Sequence, residues 1–242
     1  MKHIFFSLLL IIISINNVVS QNSKIIYKKK FLQSKDTTYK VKNKISSILE
    51  NAYKKVDEFE YILIFNNDES FFKIDESLEI DDNSTSYRIA KELGGGNGVS
   101  YMNNKEKKII QQREIGSDVF LIDSKFNKFK WKLTDEKRII GKYLCLKATT
   151  SVTMETIKGS ITKKVVAWFS PKIPVPFGPD GYGGLPGLIL ELQVGNMIFH
   201  VQRAELNSKE QFQILSPKKG IKVSKKEYDN IEKNGFNKFK KN

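Results

Sequence analysis

From Gly178 to Gly187 the chain reads Gly-Pro-Asp-Gly-Tyr-Gly-Gly-Leu-Pro-Gly, five glycines and two prolines in ten residues, and it runs straight into Leu188-Ile189-Leu190. Glycine reaches backbone angles closed to other residues, and proline fixes its own. A segment so punctuated specifies one shape: a turn that delivers an apolar strand. Within it only Asp180 and Tyr182 carry side chains that could handle a proton. Gly184, Leu185, Pro186, Gly187, Leu188 and Ile189 are therefore read as a structural corner. The segment speaks first of architecture, then of binding, and last of catalysis.

Around that corner the apolar pattern is that of a mainly β protein. Period-two alternation or short apolar runs predict strands over Ser23–Leu32, Phe59–Phe65, Ser70–Ile74, Val99–Met102, Lys107–Ile115, Val119–Ile122 and Trp131–Leu133. Further strands are predicted over Lys137–Ile140, Tyr143–Thr153, Ile161–Phe169, Leu185–Val194, Asn196–Ala204 and Phe212–Leu215. Asn66-Asn67-Asp68-Glu69 and Gly195-Asn196 read as hairpin turns. Asp75–Tyr87 is acidic and polar and reads as a loop. Gly94-Gly95-Gly96-Asn97-Gly98 lacks the Gly-Lys-Ser/Thr ending of a phosphate loop and reads as a turn.

Over Lys42–Phe59 the period changes: Ile45, Ile48, Leu49, Ala52, Tyr53 and Val56 form one stripe, which predicts an amphipathic helix facing the core. Ser224 with Glu227 has capping-box spacing and opens a short helix that Gly235 would end. Strands joined by short turns, without repeated βα units, argue antiparallel pairing. A sheet this large curls. The expected fold is α+β: a curved antiparallel sheet or half-barrel with one packed amphipathic helix, similar in its element pattern to the half-barrel carriers of bacterial envelopes.

Residues 1–20 read as a cleavable export leader. Lys2 supplies the positive start, Ile4–Ile15 is apolar apart from Ser7 and Ser14, and Val18-Val19-Ser20 precedes a cleavage point at Gln21. The run is shorter than the ~20 residues a spanning helix needs, so no integral membrane protein is expected after cleavage. No cysteine follows the cleavage region to take a lipid. Residues 21–220 are assigned to a single β-rich domain and 221–242 to a basic tail or short helix. The expected location is secreted or periplasmic.

The formal charge is +14, with lysines concentrated between Lys209 and Lys241. Such a surplus suits an anionic envelope surface; without arginine clusters or interleaved aromatics it does not read as a nucleic-acid interface. Cys145 is the single cysteine and His200 the single histidine beyond the leader. Both lie in strand patterns and read as structural. No metal site, cofactor or serine triad is expected from them. Glu136, Glu155, Glu191 and Asp180 are the carboxylates weighed for a hydrolase, without a spacing that pairs any two. Trp168, Phe169, Phe177 and Tyr182 are the candidate binding residues. Phe177 and Tyr182 sit in the long irregular loop Ser170–Gly184, and loops of that length are often functional.

Family resemblance agrees with this outline. Trp131, Leu133, Glu136, Lys137, Ile139, Gly141, Tyr143, Cys145, Lys147 and Ala148 are followed by Ala167-Trp168-Phe169, Ile173-Pro174, Gly178-Pro179 and Gly184–Ile189. In content and order this resembles the GLPGLI family of secreted proteins typical of the Bacteroidota, most strongly over residues 129–192. The resemblance implies an exported β-rich protein and carries no catalytic residue with it. The functional expectation is an envelope protein that binds or carries an apolar or peptide ligand. An accessory role in an outer-membrane complex and a hydrolase are the alternatives.

Overall fold

Six strands follow one another as neighbours from the start of the domain: β1 (Asn22–Phe31), β2 (Glu60–Phe65), β3 (Glu69–Ile74), β4 (Val99–Asn103), β5 (Lys108–Ile115) and β6 (Asp118–Lys125). A second run, β7 (Lys132–Ile140), β8 (Tyr143–Thr156), β9 (Gly159–Ser170), β10 (Leu188–Val194) and β11 (Met197–Ser208), does the same. These two antiparallel meanders fuse where β1 pairs with β11, Tyr27 lying opposite Val201. A short strand, β12 (Ile221–Val223), adds in parallel beside β6 and completes one twelve-stranded curved sheet. The computed structural model describes residues 22–32, 44–75, 84–96, 98–156, 159–210 and 212–239. The leader assigned to residues 1–20 lies outside them.

Curling puts one face of the inner strands inside, while the edge strands β7 and β12 bury no residue. On β1 the inward residues are Ile25, Tyr27 and Lys29, all buried. The core joins both meanders through Leu63, Phe72, Met102, Phe169, Leu192 and Phe199. The Pro/Gly segment supplies the filling. Ile173, Val175, Phe177 and Leu185 are buried in the same core, so the protein plugs its own concave side. The plug is held by backbone bonds: Leu188 N–H donates to Ile173 O (2.9 Å), Ile189 N–H to Phe177 O (3.0 Å) and Gly184 N–H to Pro176 O (2.9 Å). Tyr27 donates its hydroxyl to Ile189 O (2.6 Å) beside the bulge between Ile189 and Glu191. Buried Tyr27 thereby satisfies its own hydroxyl, which unpaired would cost about 1–3 kcal/mol.

Three helices accompany the sheet: α1 (Lys44–Val56), α2 (Thr85–Gly94) and α3 (Lys225–Phe239). Here the sequence reading needs correction. Of the predicted loop Asp75–Tyr87, residues 76–83 lie outside the described residues, and its last three residues instead begin α2, opened by the Ser84 hydroxyl, which accepts from Tyr87 N–H (3.1 Å), and closed by Gly95 at φ 117°. The predicted stripe of α1 meets the sheet only in part, where Tyr53 packs edge-on against Phe31 of β1 at 5.1 Å. Ala52 and Val56 are buried against Ala90 of α2, whereas Ile45 is 68% exposed, Leu49 40% and Tyr53 43%. An unforeseen second helix took the packing seam and left the flank of the stripe outside. Phe212–Leu215 is not a strand. The Phe212 carbonyl instead accepts from the Asn22 side chain, and its ring lies under Lys24. Pairing passes on to Ile221–Val223.

Ser224 and Glu227 do form the reciprocal capping box at the start of α3, with N–H to side-chain distances of 2.7 and 3.2 Å. The helix continues through Gly235 to Phe239. It touches β6 and β12 at one end of the sheet and β8 toward the other, bridging the two ends of the curl. Among the described residues no helix is long and apolar enough to cross a membrane.

Candidate functional site

Where α2 ends against the sheet, a pocket of about 60 Å³ opens on the concave side. Its charged lining is Lys29 of β1, Arg113 of β5 and Asp180 of the Pro/Gly segment; Tyr61, Phe72 and Phe199 form aromatic walls. Each polar group arrives for a traceable reason. Lys29 is the third inward residue of β1 and is 7% exposed. Its ammonium donates to Leu93 O (2.7 Å) and Gly94 O (3.1 Å), capping the carbonyl end of α2, where a cation is favoured. The same ammonium lies over the rings of Phe199 (5.3 Å) and Tyr61 (6.0 Å). Tyr61 donates its hydroxyl to Gly94 O (3.0 Å).

Arg113 follows Ile109 and Gln111 on the inward register of β5. Its guanidinium donates to Val99 O and Gln112 O (both 2.9 Å) and forms an ion pair with Asp180. Gln111 donates to Asp180 O (3.1 Å). Asp180 stands at φ 53°, ψ 34°, the left-handed region that side-chain-bearing residues seldom occupy. A residue held there by its surroundings marks a site that the fold over-determines. The glycine turn forms the rim. A Cβ on Gly98 would come within 2.8 Å of Gly95 O and 2.9 Å of Arg113 Nη1, and one on Gly94 within 3.1 Å of the Tyr61 hydroxyl. Bare backbone is what lets the charged side chains reach this corner.

Burial pushes the Lys29 ammonium down to about 8; the Asp180 carboxylate opposes that shift and the Arg113 guanidinium adds to it. Tyr61 is pushed upward, first by burial and then by Asp180 and Asp57, so it stays a neutral donor. Two cations against one carboxylate leave the pocket lining with one positive charge. Low local dielectric strengthens any interaction that charge makes. The arrangement can receive an anionic group while its aromatic walls hold an apolar portion.

The four aromatic candidates do not gather at this pocket. Phe169 and Phe177 are fully buried in the core. Tyr182 is half-buried and stacks on Phe129 (4.7 Å between centroids), next to Trp131, whose indole N–H donates to Gly183 O (2.9 Å). Trp168 projects from the other face of β9. There Arg138 lies over its ring at 4.3 Å and Lys147 at 5.8 Å, each tied to a carboxylate, Glu191 (2.8 Å) and Glu136 (2.7 Å). Glu155 accepts from Ser160 on the neighbouring strand. Of the four carboxylates weighed, Asp180 is the one that lines the pocket.

His200 lies opposite Glu191 and Lys28, its Nδ1 without a hydrogen-bond partner among the described residues. Burial, with Lys30 nearby, holds its imidazole below its usual range. Cys145 is buried, and burial pushes its thiol up to about 11. Among the described residues no group of three His, Cys, Asp or Glu side chains could hold a metal ion. The sequence reading missed Lys29, Tyr61 and Arg113. The signal available was register: Lys29 follows Ile25 and Tyr27 on the inward face of β1, and Arg113 follows Ile109 and Gln111 on that of β5.

Residues 153–191, which span the end of β8, β9, the plug and the start of β10, match a family described as a protein of unknown function, Porph_ging. No curated protein matches the chain. In fold it is similar to PNGF-II, solved in two crystal forms. Against the P21 form the TM-score is 0.54 at 16% identity, covering 87% of this chain and 33% of that one. Against the C2 form it is 0.54 at 17% identity, covering 87% and 32%. The likeness establishes a β-rich fold, and the chain spans about a third of the PNGF-II chain.

Proposed function

We propose that this is an exported, non-enzymatic binding protein of the cell envelope, akin to the GLPGLI proteins, which captures a peptide by a carboxylate. The observation that carries the reading is the surplus cation of the pocket: buried Lys29 and half-buried Arg113 face a single carboxylate, Asp180. A peptide carboxylate would meet Lys29 and Arg113, and an apolar residue beside it would meet Phe72, Ile74 and Phe199. The peptide alternative suits this geometry better than a carried apolar ligand, because the plug residues Ile173, Val175, Phe177 and Leu185 occupy the concave interior. A hydrolase would call for two facing carboxylates in one cleft, and this pocket offers Asp180.

The test is calorimetric titration with a pool of short peptides ending in a free carboxylate, against the same pool amidated. The free-acid pool should bind at least tenfold more tightly, and Lys29→Met should abolish the difference. Equal binding of both pools, or binding of neither, would refute the reading.

A second reading, an accessory subunit of an outer-membrane complex, is favoured by the sheet edge. The outer edge of β7 has no partner strand among the described residues, and Leu133 and Ile139 on it are 62% and 71% exposed. Unpaired edges receive partner strands. Ile139→Lys should then prevent co-purification with the envelope partner while leaving the peptide titration unchanged.

A further inference from the structure

At the opposite edge of the sheet, the residues leading into β12, β12 itself and the first turn of α3 carry Lys218, Lys219, Lys222, Lys225 and Lys226, with no acidic residue from Gln211 to Lys226. All five lysines are exposed. Lys225 pairs with Asp229, whereas Lys218, Lys219, Lys222 and Lys226 make no ion pair among the described residues. Leu215 and Ile221 are 58% and 57% exposed in the same stretch.

The scaffold beneath is fixed. Ile221, Lys222 and Val223 lie in register with Phe120, Leu121 and Ile122. Gln112 donates to Lys219 O (2.7 Å), and Gly220 takes φ 136° against β6. Packing does not explain the charge. Lys225 and Lys226 in the first turn of α3 oppose its dipole, which the Glu227 carboxylate of the capping box favours.

We propose that this edge is a docking surface for an anionic phospholipid bilayer, the lysines meeting headgroup phosphates and Leu215 and Ile221 entering the interfacial region. Clustered exposed lysines beside apolar side chains are the pattern of interfacial lipid binding. The two apolar residues favour lipid over an acidic polysaccharide or nucleic acid, since neither of those offers an apolar layer to receive them. The segment also lacks arginine, and its one aromatic, Phe212, is half-buried beneath Lys24.

Vesicle sedimentation tests this, using the chain from Gln21, which keeps every described element. Vesicles of phosphatidylglycerol and phosphatidylethanolamine should bind it, and vesicles of phosphatidylcholine alone should not. Each Lys→Gln change at 218, 219, 222 and 226 should weaken binding about fivefold at low ionic strength, and 0.5 M salt should mimic the quadruple change. Leu215→Ser with Ile221→Ser should weaken binding without altering its salt dependence.

Thermal melts of every variant should match the parent, since the altered side chains are exposed. Single Lys→Gln variants carry the test if the quadruple one melts early. Equal binding to neutral vesicles, undiminished binding of the lysine variants, or retention on acidic polysaccharide or duplex DNA without binding to anionic vesicles would each overturn the proposal.

Discussion

A methyl group at position 187 would collide with the chain itself: an ideal Cβ there lies 2.3 Å from Ser170 O and 2.9 Å from Pro171 N. Gly187 is required for close approach, because the end of β9 passes directly against the start of β10. Gly187→Ala should therefore lose about 1–3 kcal/mol, and Gly187→Val more, as a lowered urea midpoint. Gly141 is the contrast. Its φ is 57° and nothing lies within 4 Å of a built Cβ, so Gly141→Asn should cost under about 1 kcal/mol.

Lys29 makes a prediction in pH. Its native pKa, about 8, is below the ordinary 10.5, so the unfolded chain binds more protons between those values and stability rises with pH there. Equilibrium unfolding at pH 7 and pH 9.5 should show a gain of about 2 kcal/mol from this residue, absent in Lys29→Met. A flat difference between the two proteins would mean the ammonium is not desolvated. The window closes near pH 10, where Tyr27 and Tyr61, both raised by burial, stay protonated in the fold and begin to ionise in the unfolded chain.

Among the elements, α1 shows how far periodicity can be taken. The helix was legible because its apolar residues recur every three or four positions. Which part of that stripe is buried was not, since α2 settled it and the acidic residues before α2 masked its start. Val56→Ala, at a buried position, should cost about 1–3 kcal/mol, and Leu49→Ala, at a 40% exposed one, under about 1 kcal/mol. A large loss at Leu49 alone would place the stripe against something that covers it.

The cap of α3 was fully readable, being local: Ser224→Ala should cost about 1 kcal/mol in a chemical melt. The pocket was half-readable. An inward lysine on β1 and an inward arginine on β5 are anomalies visible in the sequence. Their partners lie 64 residues away for Lys29 and 67 for Arg113, distances over which pattern carries no information.

At the scale of the molecule, the strands and antiparallel pairing could be read from alternation and turns, and the curl from strand number. Strand order could not, because nothing local in β1 names β11 as its neighbour. If the chain is exported, N-terminal sequencing of the envelope-fraction protein should begin near Gln21; a mature form retaining Met1 would refute cleavage. The fusion of the two meanders also has a kinetic side. β1 is the first described strand to be synthesised, yet it is central in the sheet, and its second neighbour belongs to the last third of the chain. Closing a loop of roughly 170 residues costs about 4–5 kcal/mol of chain entropy before that pairing returns anything. One hydrogen-bonding edge of Lys24-Ile25-Ile26-Tyr27 must therefore stay open through most of translation. A chain like this should fold slowly for its size and need a holding chaperone until β11 arrives.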